Sequence, residues 1–175
     1  VLGVGWQLAG VSRITRCQKN IAIDGTFEHL RHDRRIFCLD GHRLIELDGQ
    51  AGEYSTEIET FKTITASHKS SAPSWFLVRD KSGIESVYHK KVFENKAVEW
   101  LLAETRDVYN NKIVYEYSHD HVNGEYLLKR VKYAYQDPLD KSSYNAKIEV
   151  AYARRHAVDT LSGWVAGKRT SLTRR

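Results

Sequence analysis

The stretch "NKIVYEYSHDHVNGEYLLKRVKYAYQ" constrains this chain more than any other. Aromatic and aliphatic residues alternate with polar ones on both sides of Asn123-Gly124. Period two places successive side chains on opposite faces, which is the geometry of a strand and incompatible with a helix. Asn-Gly supplies the positive φ that a tight hairpin turn needs, so the stretch predicts two antiparallel strands.

The same signal recurs along the chain. "GHRLIELDGQ" sets Leu44 and Ile45 between Asp40-Gly41 and Asp48-Gly49 turns. "EYSTEIETFKTI" alternates Tyr54, Thr56, Ile58 and Thr60 against Ser55, Glu57, Glu59 and Phe61. "SWFLVRDKSGIESVYHK" reads as two strands around a turn ending in Gly83, and "NAKIEVAYARR" as another strand. "NKAVEWLLAETRD" fits helical spacing through Val98, Leu101 and Leu102 about as well as a strand; its close spacing to neighbouring strands favours the strand. Pro73 and Pro138 mark the two main loops. Short runs separated by turn dipeptides predict an all-β fold of antiparallel hairpins or a meander, forming an extended twisted sheet. With 41% hydrophobic and 28% charged residues in 175, the chain can bury a core, and residues 1–175 read as a single β-rich module. The uncharged opening "VLGVGWQLAG" and the absence of any Met suggest a piece of a much larger protein.

Several kinds of chemistry are disfavoured. No run approaches the roughly 18 apolar residues of a membrane-spanning helix, no signal peptide is visible, and membrane contact stays open. The net charge of +5 is spread out, densest in the tail "GKRTSLTRR", so no nucleic-acid partner is expected. "GVGWQLAG" lacks the third glycine and following helix of a dinucleotide loop; a glycine-rich turn with Trp6 packed into the sheet is expected instead. His29, His32 and His42 with Asp33 and Asp40, or His119 and His121 around Asp120, could be drawn as metal clusters. The first group lies among Arg31, Arg34 and Arg35, which would repel a cation, so surface histidines are expected and no metal site. No nucleophile elbow, Cys/His couple or P-loop occurs. The expectation is no enzyme, no catalytic residue, no cofactor and no small-molecule substrate. Tyr115, Tyr117, Tyr126, Tyr133 and Tyr135 either pair across strands or form an aromatic face for carbohydrate or protein. Cys17 and Cys38 alone decide nothing: buried thiols and a closed loop are both open.

Five blocks, taken in order, resemble one family. "GVGWQLAGVSRITRC", "DRRIFCLDGHRLIEL" and "GEYSTEIETFKTI" are similar to the region that introduces repeats in SpvB-like and toxin-complex B-type proteins. "WLLAETRDVYNNKIVYEYSHDHVNGEYLLKRVKYAY" resembles the strand–turn–strand units of Rhs/YD-repeat proteins. "ARRHAVDTLSGWVAGKRTSLTRR" is similar to the segment that follows them. The family's usual Gly-Asn turn reads Asn110-Asn111 here, and Ala157-Val158-Asp159 replaces a Pro-Asp. The resemblance implies a large secreted or cell-surface bacterial protein whose strands build a shell carrying a toxin. The implied partners are other domains of the same polypeptide and toxin-complex subunits. Export makes a Cys17–Cys38 bridge possible, beside the alternative of two thiols in neighbouring strands. Some SpvB-like proteins carry an ADP-ribosyltransferase Glu-x-Glu pair, but Glu57 and Glu59 lie in the wrong region and are expected to point to solvent from one strand face.

Overall fold

A computed structural model describes residues 11–47, 52–93, 95–137, 139–140, 142–154, 161–165 and 168–172. The turn read at Asp48-Gly49, the packing of Trp6, Pro138 and residues 157–159 lie outside them. Eight antiparallel strands follow one another in sheet order: β1 (Arg13–Arg16), β2 (Phe37–Leu39), β3 (His42–Glu46), β4 (Glu53–Thr56), β5 (Thr63–Ala66), β6 (Trp75–Arg79), β7 (Glu85–Phe93) and β8 (Lys96–Arg106). β8 then returns to β1, with Arg13 opposite Leu101 and Ile14 opposite Trp100, and closes the sheet into a barrel. The all-β antiparallel class is as the alternation predicts; closure is a finding of the structure.

Period two explains the interior. Ile14, Tyr54, Ile64, Phe76, Val78, Tyr88, Trp100 and Leu102 point inward from their strands and are buried. An eight-stranded barrel is just wide enough for side chains to fill it. Phe37, Phe76 and Trp100 meet edge to face, with ring centroids 5.1 to 5.2 Å apart, the arrangement that opposes positive ring edges to negative faces. "NKAVEWLLAETRD" is strand β8, and its helix-like spacing has a cause: Leu101 and Leu102 are both buried, so both faces of the strand carry apolar residues.

β8 is longer than its barrel partner. Its first half pairs with β1; on the same edge Glu104, Thr105 and Arg106 pair with β9 (Lys112–Asp120). From this fork a meander continues through β10 (Glu125–Tyr135) and β11 (Tyr144–Glu149). The Asn123-Gly124 hairpin joins β9 to β10, with Gly124 at φ 68° and its amide on the Asp120 carbonyl. Asn110, which stands where the resemblance expects Gly, takes φ 69° in the turn before β9, a conformation asparagine tolerates better than most residues. A separate ribbon pairs β12 (Leu161–Val165) with β13 (Lys168–Leu172). Helix among the described residues is one turn, α1 (Ile21–Asp24), capped by Asn20 and ended by Gly25 at φ 67°.

One strand differs from expectation. "EYSTEIETFKTI" is broken: β4 stops at Thr56, residues 57–62 turn, and β5 begins at Thr63. Phe61 sits at φ 55°, which no strand accommodates. Glu57 and Glu59 therefore belong to a turn, and the Glu59 carboxylate accepts the Phe61 amide.

Candidate functional site

The tyrosines do not form one platform. Tyr115 packs against the barrel core. The Tyr117 hydroxyl donates to the Leu102 carbonyl at 2.9 Å, and that of Tyr126 to the Val92 carbonyl at 2.8 Å. These bonds fasten the meander to the barrel wall. Burial pushes both phenols above their ordinary range. The Lys91 ammonium lies 5.5 Å from the Tyr117 ring and 5.7 Å from that of Tyr126. Tyr133 is partly exposed opposite Ala146. Tyr135 belongs to another cluster, with Lys112 4.3 Å above its ring and Tyr144 beside it.

The described surface instead offers a cleft of about 370 Å³ on the outer face of β6, β7 and β8. Register builds it: Trp75 opposes His89, Leu77 opposes Val87, and Val87 opposes Glu104. Leu77 and Val87 are its apolar floor, and Trp75 is 39% exposed at its edge. The rim is two carboxylate–guanidinium pairs, Glu85 with Arg79 and Glu104 with Arg106 at 2.6 Å. The lining holds no hydroxyl or thiol nucleophile; the arrangement suits holding a flat apolar face, with charged groups able to hydrogen-bond at its margin. The sequence did carry a signal for this site. In "SWFLVR" Phe76 and Val78 fill the core, so Trp75 and Leu77 make the other face apolar as well.

Cys17 and Cys38 are joined by a disulfide, with Cα atoms 5.9 Å apart, between the end of β1 and the middle of β2. Thr15 pairs with Cys38, and the Cys17 amide bonds the Ile36 carbonyl, so ladder geometry brings the thiols together. Among the described residues no three His, Cys, Asp or Glu side chains converge as a metal site. His32 approaches the Ala97 carbonyl, and burial lowers its pKa. Asp33 is held down to about 2 by its two bonds from Arg31. Asp40 accepts Ser12 Oγ and the Arg13 amide, and the Tyr88 hydroxyl in turn donates to Ser12. His42 opens β3, opposite Leu39. His119 stacks on Tyr126 with centroids 3.9 Å apart, and His121 lies 3.7 Å from it; burial, then His121, lowers the His119 pKa. Asp120 caps the turn, accepting the Val122 and Asn123 amides.

No protein-family model and no curated protein sequence matches the chain. Among solved structures, the N-terminal domain of effector protein SpvB from Salmonella typhimurium strain LT2 is similar, with a TM-score of 0.74. The alignment covers 99% of this chain and 75% of that one, at 14% identity. The chain shares the fold of that domain. At this identity the likeness speaks for architecture alone, and it lends no support to Rhs or YD repeats in particular.

Proposed function

We propose that the chain is a non-catalytic structural module of a secreted or surface Rhs/toxin-complex-like bacterial protein, giving β-strands to a shell or scaffold that carries a toxin. The observation that carries this reading is the filled barrel. Trp100, Tyr54, Phe37, Phe76, Ile14 and Ile64 are each less than 2% exposed and occupy the interior, which leaves a packed core where a binding barrel would keep a lumen. The fold shared with an effector's N-terminal domain supports the same reading, as does a meander fastened to the barrel by tyrosine hydroxyls. In this reading the partners are the neighbouring domains of one long polypeptide.

The cleft beside Trp75 favours a second reading, a surface module that binds carbohydrate or protein. Titrating soluble glycans against the chain while following tryptophan fluorescence separates the two. The scaffold reading expects no saturable change. Saturable quenching that disappears in Trp75→Ala would replace it with the binding reading.

A further inference from the structure

Antiparallel order puts the connections β2–β3, β4–β5, β6–β7, β8–β9 and β10–β11 at one end of the sheet. Three of these turns, β4–β5, β8–β9 and β10–β11, carry large apolar side chains outward. Ile58, Phe61, Val108, Tyr109 and Leu139 are between 65 and 88% exposed. Successive hairpin turns lie two strand spacings apart, about 10 Å, and neighbouring tips touch. The Lys81 ammonium stands 5.8 Å over the Phe61 ring, and a Cβ on Gly83 would lie 2.5 Å from Val108 Cγ1. Exposed apolar side chains grouped on neighbouring turns are the kind of surface that marks a protein contact.

The turns are held in shape from within. Asp80 accepts the amides of Ser82 and Ile84, Asp107 those of Tyr109 and Asn111, and Asp137 that of Leu139. Tips fixed before contact lose little freedom on binding. The same turns are acidic. By sequence these connections carry Asp40, Glu57, Glu59, Asp80, Asp107, Asp137 and Asp140 against Lys62, Lys81 and Lys141, seven against three, with Lys112 of β9 near Asp140. An anionic bilayer repels such an end, whereas a basic protein surface is attracted to it.

We propose that this end of the sheet is a docking surface for a protein partner whose contact face is apolar at its centre and basic at its margin. The proposal stands on the turn geometry and charge, independently of the scaffold reading. A fluorescently labelled amphipathic Leu/Lys peptide tests it by anisotropy, against a Leu/Glu peptide of the same pattern. The chain should bind the Leu/Lys peptide, more weakly as salt rises, and leave the Leu/Glu peptide free. Phe61→Asn with Tyr109→Ser should weaken binding by roughly tenfold or more, with circular dichroism and melting unchanged because both side chains are exposed. Four results overturn the proposal: no binding of the Leu/Lys peptide, equal binding of both peptides, binding unchanged in the double variant, or preferential capture by phosphatidylcholine/phosphatidylserine vesicles. Salt-sensitive self-association that the double variant abolishes also overturns it, by making the occupant a second copy of the chain.

Discussion

Arg16 shows how one side chain organises the end of the barrel opposite those turns. Its Nε donates to the Ala97 carbonyl at 2.8 Å, Nη1 to Arg34 at 2.9 Å and Nη2 to Ser71 at 2.6 Å. The guanidinium carbon lies 5.7 Å from the Phe37 ring and 5.4 Å from that of Trp100. Burial lowers its pKa to about 10, which leaves it charged at neutral pH. Three carbonyls, one from the start of β8 and two from the β1–β2 and β5–β6 connections, thus converge on one planar cation, and Trp100 Nε1 ties a fourth group, the Pro73 carbonyl, at 2.7 Å. Lysine keeps the charge but cannot reach three acceptors in a plane or stack on two rings. Arg16→Lys should therefore destabilise the fold by about 1–3 kcal/mol, because the buried Ala97 carbonyl and two half-buried ones lose a donor. Urea unfolding measures this; a change under about 0.5 kcal/mol, the range of surface substitutions, would show that the network is dispensable. The sequence placed Arg16 on the same face as Ile14 through "RITR", yet nothing in a polar residue two places from an apolar one announces an inward arginine.

At the scale of elements, local alternation was legible and long-range closure was not. β6, β7, β9 and β10 could be read because each alternates between a filled face and an open or covered one, around turns marked by Gly83 and Gly124. The pairing of β1 with β8 is set by Ile14 meeting Trp100 inside the barrel, a contact between distant segments that no short window contains. The tyrosines were legible as cross-strand residues; their direction was not, because it depends on where β9 leaves β8. That fork also places Glu99 between Arg13, at 3.7 Å, and Lys91, its cross-strand neighbour. Burial raises the Glu99 pKa more than Arg13 and Lys91 lower it. A carboxyl whose folded pKa lies above its unfolded value contributes stability below the unfolded pKa and loses it as pH rises through the folded one. Glu99→Gln, which cannot ionise, should be more stable than the parent at pH 7, and the difference should close below about pH 4 as the parent's carboxyl protonates. Melting temperatures across pH 3 to 7 check this; a gap that widens toward acid would mean that the two cations outweigh burial.

For the whole molecule, the seam between β1 and β8 is the decisive element. β1 is four residues long and has partners on both edges, so its hold on β8 depends on being held by β2. The segment "VLGVGWQLAG" lies outside the described residues; among those described, β11 ends the eleven-stranded sheet and carries Lys147 and Glu149, charges of the kind that discourage edge-to-edge pairing. The Cys17–Cys38 bridge fastens β1 to β2 beside the seam and closes a loop of sequence separation 21. A loop of that length contributes about 3 kcal/mol by restricting the unfolded chain, equivalent to roughly 6–12 °C in melting temperature at this size. Reduction, or Cys17→Ser with Cys38→Ser, should therefore lower the melting temperature by about that amount. It should also change where the barrel opens first. In the oxidised protein the amides of Thr15 and Trp100 should exchange with deuterium about as slowly as that of Phe76 in the core. After reduction they should exchange ahead of Phe76, because a short strand freed from its staple separates before the packed interior does. Thr15 and Phe76 remaining equally protected after reduction, with melting unchanged, would mean that core packing alone holds the barrel shut.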